Sequence, residues 1–368
     1  MEAEKRTMTL ALLLLLAADL PPVPADRRQI LTTLEREMYG KNPGRPVHQG
    51  FELRERNSDA LGGKAIRKQI RVWYEAPSGK RDSFELLLYL PKSPRRVPVF
   101  LGMSFGGNQC AHPDPAIFES TRWQRTPQTR GGCASRWEID YVISRGYGTA
   151  IVYYGDLDPD FDDGYTNGVH ALYGIPAPDE WGAISAWAWG LSRAMDYLAQ
   201  DPNVDARRVA VHGHSRIGKA ALWAGALDER FAMVISNDSG EGGAAIARRL
   251  QGERTEDLNK RFPHWFNANF KKYSGKESEL PFDSHWVLHA IAPRLLYVAS
   301  ASEDAWADPE GEFAAIQAAG MKPHPMLAPG ERYFDGRFAY HLRQGKHDIT
   351  LWDWQGFIEF AERHHWRD

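Results

Sequence analysis

Cysteine is nearly absent from this chain. Cys110 and Cys133 are its two in 368 residues, too few for a small disulfide-built scaffold and a poor start for a metal site. An excess of either charge is missing too: 45 Lys and Arg face 48 Asp and Glu, for a formal net charge of -3. That balance offers no electrostatic case for a nucleic-acid partner. Beyond the N-terminal segment, no apolar run is long enough to cross a bilayer. Internal repeats and low-complexity linkers are lacking as well, which argues against a solenoid or a string of modules.

What remains is ample material for one large core, with 43% hydrophobic residues. The 13 Trp and 14 Tyr suit sugar rings and apolar grooves, although most aromatic side chains serve the core. At the N-terminus, Lys5 and Arg6 precede MTLALLLLLAA, residues 8–18. That run is short for a membrane span and right for the apolar region of a secretory signal. Val23, Pro24 and Ala25 supply small residues for cleavage before Asp26, so residues 1–25 read as a signal peptide and 26–368 as one catalytic domain. The expected destination is secreted or periplasmic, with an uncleaved N-terminal helix as the alternative. Cys110 and Cys133 flank the loop-like AHPDPAIFESTRWQRTPQTRGG. Spacing alone leaves one disulfide and two buried thiols both open.

Helical spacing runs through DRRQILTTLEREMYG, EWGAISAWAWGLSRAMDYLAQ, RIGKAALWAGALD, GEFAAIQAAG and ITLWDWQGFIEFAERH. Strands are predicted for AIRKQIRVWYEA, DSFELLLYLP, VPVFLGMSFGG, GYGTAIVYYGDL, RRVAVHGHS, FAMVISNDSG and PRLLYVASASED. From about residue 97 the two types alternate, which predicts an α/β fold: a doubly wound, mostly parallel sheet with helices on both faces. The earlier strands form its antiparallel edge.

VAVHGHSRIGKAALW, residues 209–223, passes from apolar strand through two glycines around Ser215 into a helix. This is the setting of a serine nucleophile, on a tight strand-to-helix turn where the helix N-terminus favours developing negative charge. The common pattern is G-x-S-x-G; here the second glycine, Gly218, comes one place late. In such folds the chain order is Ser, acid, His. His347, in LRQGKHDITLWDW, lies between a glycine and the final helix, ahead of His341, His364 and His365 as the base. Asp238 and Asp304 both follow core strands and both stand as the acid, while Asp308 reads as a helix N-cap. The backbone N–H of Arg216 is the expected oxyanion donor, with its guanidinium in reach. Lys219 lies one helical turn on, toward the same side. Two cations beside a nucleophile point either to an anionic substrate or to pairing with nearby acids.

GHSRIGKAA resembles the nucleophile motif of the glucuronoyl esterases, G-C-S-R-x-G-K in fungal members. The resemblance continues through SNDSGEGG, GERTEDLNKRFPHWF, ASASEDAWADPEGEF and LRQGKHDITLWDW, and is strongest to the bacterial branch. It implies an α/β-hydrolase fold and hydrolysis, without metal or cofactor, of esters linking 4-O-methyl-glucuronic acid of xylan to lignin alcohols. It implies Ser215 as nucleophile, His347 as base and Arg216 at the oxyanion hole. Asp238 falls where the family usually has a glutamate, and Asp304 where bacterial members carry an alternative acid. Lys219, Glu253 and Trp306 fall at positions that contact the uronate sugar. Because the substrate ester is neutral, Lys219 would meet sugar hydroxyls.

The expected partner is therefore a glucuronoxylan or lignin–carbohydrate ester, with no nucleic acid, no membrane once the signal is removed, and a monomeric protein. The rival readings are an acetyl or feruloyl carbohydrate esterase, and a non-catalytic glycan-binding relative.

Overall fold

A computed structural model describes residues 19–367. The apolar N-terminal run, residues 8–18, lies outside the described residues. Ten strands form one sheet: β1 (His48–Asp59), β2 (Ala65–Glu75), β3 (Arg81–Pro91), β4 (Val97–Ser104), β5 (Gly148–Tyr153), β6 (Val204–His214), β7 (Met233–Asn237), β8 (Leu295–Ala301), β9 (Glu331–Asp335) and β10 (Phe338–Arg343). Their spatial order is β1-β2-β3-β5-β4-β6-β7-β8-β10-β9. The strands from β5 through β10 in that order run parallel, with an antiparallel edge on each side: β1 to β3 at one end and β9 at the other. This is the α/β-hydrolase arrangement.

Strand periodicity explains why the core strands are apolar throughout. Alternate residues point to opposite faces, and both faces are covered. Val99, Leu101, Val209, Val211, Leu296 and Val298 enter one core cluster. Their neighbours Phe100, Ala210, Tyr297 and Ala299 enter the other. The principal helices are α1 (Arg27–Leu34), α2 (Ala183–Leu198), α3 (Arg216–Leu227), α4 (Pro309–Ala318) and α5 (Leu351–Arg363). Buried residues of α1 to α4 belong to the first cluster and those of α5 to the second.

The predicted N-terminal helix divides in two. Asp26 caps α1 through its side chain, and the last turn, Glu35–Tyr39, widens into a π-helix. Gly40 stops it at φ +81°, where a Cβ would fall 2.2 Å from the Glu180 carbonyl oxygen. Ahead of α1 the chain is docked rather than loose. Leu20 and Val23 pack on the core, and the Pro21 carbonyl accepts hydrogen bonds from His285 Nε2 (3.0 Å) and Trp286 Nε1 (3.1 Å). Cys110 and Cys133 are joined in a disulfide that ties the loop after β4 to the segment before β5.

Candidate active site

β6 ends at His214 and α3 begins at Arg216, so Ser215 is the whole of the turn. Its φ of 57° and ψ of -131° lie where an L-residue is strained. The turn closes because its glycines admit backbone. A Cβ on Gly213 would sit 2.1 Å from the Ile217 carbonyl oxygen, and one on Gly218 would crowd Ser239 Cβ at 3.0 Å. The late glycine thus has a physical cause: position 218 is where α3 presses on the segment after β7. The N–H groups of the first turn of α3, Arg216 included, have no partner within the helix.

Ser215, Arg216, Lys219, Asp238, Glu253, Asp304, Trp306 and His347 all line one cavity of 280 Å³. His347 lies after β10, the last strand, and its Nδ1 is 2.5 Å from Asp304 Oδ2. Two of its rivals are engaged elsewhere. His341 is buried within β10 and pairs with Asp353 at 2.9 Å, while His364 holds the Gly336 carbonyl at the end of α5. Asp238 makes no hydrogen bond to His347. It is buried at φ 45° after β7, and its Oδ2 accepts from the Asp348 N–H at 3.3 Å. Burial, followed by the charges of Glu312 and Asp304, raises its pKa well above the usual carboxylate range, against the pull of Arg343. Asp308 takes the N-cap position of α4, but it does not cap. Its carboxylate pairs with Arg249 Nε at 2.8 Å, in a left-handed backbone conformation.

The two cations beside Ser215 both have acid partners. The Arg216 guanidinium pairs through Nη1 with Asp160 Oδ2 and lies over Trp265, 5.2 Å from its ring centre. Asp160 also accepts from His264 Nε2 (2.9 Å) and Trp265 Nε1 (2.8 Å) and pairs with Arg125 (3.1 Å). Burial would raise its pKa, yet the His264 hydrogen bond, the Arg216 charge and the Trp265 and Arg125 contacts together hold it well below the usual range. Lys219 is buried, and its ammonium donates to the Ser239 carbonyl (2.7 Å), the Glu241 carbonyl and Glu253 Oε2 (2.7 Å). An ammonium has three N–H donors, so here Lys219 holds Glu253 and the loop after β7. That differs from the expected direct contact with sugar hydroxyls. Glu253 Oε1 in turn accepts from Trp306 Nε1 at 3.3 Å, and Trp306 stands 44% exposed at the cavity.

Sequence reasoning missed Asp160, Trp265, Phe262 and His214. Phe262 and Trp265 stack at 3.8 Å between ring centres, and both line the cavity. His214 packs against His347, ring centres 4.4 Å apart. Burial, then the charge of His347, pushes the His214 pKa well down, so its ring stays neutral there.

Comparison with known proteins follows the same lines. The family model for fungal glucuronyl esterases matches residues 149–322. Carbohydrate esterase MZ0003, from an unknown prokaryotic organism, is 44% identical over 368 residues, spanning 92% of this chain and 84% of that protein. The solved glucuronoyl esterase from Solibacter usitatus is 47% identical over 92% of each chain, with a TM-score of 0.86. That from Teredinibacter turnerae is 34% identical over 93% of this chain and 84% of the other, with a TM-score of 0.80.

Proposed function

This chain belongs to carbohydrate esterase family 15, the glucuronoyl esterases, and from that premise we propose that it hydrolyses esters of glucuronic acid, of the kind that link glucuronoxylan to lignin alcohols, by a Ser215–His347–Asp304 mechanism. The observation that carries the mechanism is the 2.5 Å contact of His347 with Asp304 at the mouth of the cavity that opens on Ser215.

In this mechanism His347 takes the Ser215 proton as Oγ attacks the ester carbonyl, and Asp304 fixes the tautomer and steadies the imidazolium. The carbonyl oxygen gains charge at the N-terminal end of α3. There the Arg216 N–H and its guanidinium, held by Asp160, are already in position. The alcohol leaves with the proton from His347, and water activated by the same imidazole releases the uronic acid. Trp306 and Glu253 face the sugar, while Lys219 acts through Glu253. No step needs a metal.

The catalytic domain, read from the sequence as residues 26–368, also takes in the docked residues from Leu20 and acts as a monomer outside the cytoplasm. The Cys110–Cys133 disulfide and the apolar N-terminal run support export. No helix among the described residues is long and apolar enough to cross a membrane.

The test is hydrolysis of benzyl glucuronate against its galacturonate epimer, with acetylated and feruloylated sugars in the same panel. Preference for the glucuronate ester, abolished in Ser215→Ala, is the expected result. Faster turnover of acetyl or feruloyl esters would assign the chain to another ester class.

A further inference from the structure

The active-site cavity is not the largest on the carboxyl edge of the sheet. A second cavity, of 610 Å³, opens between the β2–β3 hairpin and the loop at residues 118–122. Arg71 pairs with Glu85 across β2 and β3, and Leu86 pairs with Val152 near the end of β5. Glu85 therefore stands at the same edge from which Ser215 emerges, several strands along. Segment 123–125 runs between the two cavities. The Trp123 carbonyl accepts from Tyr153, which lines the large cavity, while Arg125 pairs with Asp160, which holds Arg216.

The cavity's lining mixes basic and acidic side chains, Arg54, Arg71 and Arg122 with Glu85, Glu119 and Asp156. Glu85 Oε1 accepts from Arg54 Nη1 and Arg71 Nε, each at 2.9 Å, and both guanidinium groups have further N–H donors. An anion would meet those donors but would be repelled by the Glu85 and Glu119 carboxylates in the same lining. A hydroxyl both donates and accepts, so a neutral polyhydroxylated ligand suits a lining that offers donors and acceptors together. Phe118, 36% exposed and covered on one face by Arg54 at 5.2 Å, adds apolar aromatic surface at the rim.

We propose that this cavity is a second carbohydrate site, which takes neutral sugar units of the glycan that carries the scissile uronoyl ester. The proposal rests on the glucuronoyl esterase reading of the active site. It makes the enzyme select for the polymer as well as for the ester, because binding far from the reacting bond is lost with truncated substrates.

The probe is xylohexaose, titrated calorimetrically into the full Ser215→Ala chain. Binding is expected, and Phe118→Ala or Arg54→Ala, each added to Ser215→Ala, should weaken it about 3- to 10-fold. In the active enzyme the same two substitutions should leave kcat/KM on benzyl glucuronate unchanged, since that ester does not reach the second cavity. No binding of xylohexaose, or equal binding by all variants, would overturn the proposal. So would tighter binding of an oligogalacturonate that depends on Arg54, which would make the cavity an anion site. Failure to hydrolyse benzyl glucuronate would count against the active-site reading alone, because the titration needs no turnover.

Discussion

His347 Nδ1 contacts Asp304 Oδ2 at 2.5 Å, while Asp238, the other acid behind the same imidazole, offers its carboxylate to the Asp348 N–H and lies 3.7 Å from Arg343. Two carboxylates so near one imidazole are not equivalent. Asp304 is mostly buried and bonded to the ring. Asp238 is buried among other acids and favours its neutral form.

Asp304→Asn is therefore expected to lower kcat by a large factor. Asn can present an amide N–H to Nδ1 and favour the wrong tautomer, a change that reaches about 10⁴-fold in serine proteases. Asp238→Asn, close in shape to a protonated Asp238, is expected to cost less than about 10-fold. Both are measured on one alkyl glucuronate at fixed pH. An inactive Asp238→Asn beside a fully active Asp304→Asn would reverse the assignment.

Arg216→Ala should act mainly on kcat, with a loss of about 10²- to 10³-fold, as for other oxyanion donors. Asp160→Asn should lower kcat by less, since the guanidinium stays but its clamp loses charge. It should also destabilise the fold, because Arg216 and Arg125 lose a buried counter-ion, but by less than the ~3–5 kcal/mol of a fully buried pair, since both guanidinium groups reach solvent. Steady-state kinetics and denaturant titration of the two variants separate these effects. A rise in KM alone for Arg216→Ala would make it a ground-state contact.

How much of this was legible in the sequence depends on where each signal resides. β4, β6, β7 and β8 are apolar runs bounded by glycine, proline or charge, so the parallel core and the turn at Ser215 could be read directly. β9, ERYFD, could not: it is a short, half-exposed edge strand with alternating charge, which local pattern does not tell from a loop. The place of His347 at the Ser215 cavity could be read from chain order. Asp160 could not be read so, because it stands in DLDPDFDD among other aspartates, and its partners lie 35, 56, 104 and 105 residues away. The fates of Arg216 and Lys219 were hidden for the same reason, since an ion pair across the fold leaves no trace in spacing.

His212 makes a pH prediction. Its ring is buried between Trp137 and Trp354, with centres 5.3 and 5.0 Å away, and burial lowers its pKa from 6.5 to about 3. The unfolded chain takes up a proton as the pH falls through 6.5, and the folded chain does not until near 3. Stability contributed by the neutral ring is thus complete above 6.5 and lost between 6.5 and 3, by on the order of a few kcal/mol. His214, depressed in the same direction, adds to that slope. His212→Leu cannot take the proton, so its unfolding free energy should fall less steeply from pH 6.5 to 4 than that of the parent. Denaturant titrations at several pH values check this, and parallel slopes would refute it.

The N-terminal segment yields the last prediction. Cleavage before Asp26 would remove Pro21, whose carbonyl is the acceptor for His285 Nε2 and Trp286 Nε1. Both side chains are buried beneath this segment, so both donors would exchange a protein acceptor for water, a net loss of about 0.5–1.5 kcal/mol each. Leu20 and Val23 would also leave the core surface they cover. A mature protein that keeps these contacts must be cut upstream of Leu20, next to the alanines that end the apolar run. Intact-mass analysis of the exported protein should find a chain that still contains Leu20. A recombinant chain beginning at Asp26 should fold with a lower Tm than one beginning at Asp19. A mature N-terminus at Asp26, together with equal Tm values for the two chains, would show that the docked segment belongs to the precursor and contributes nothing to the enzyme.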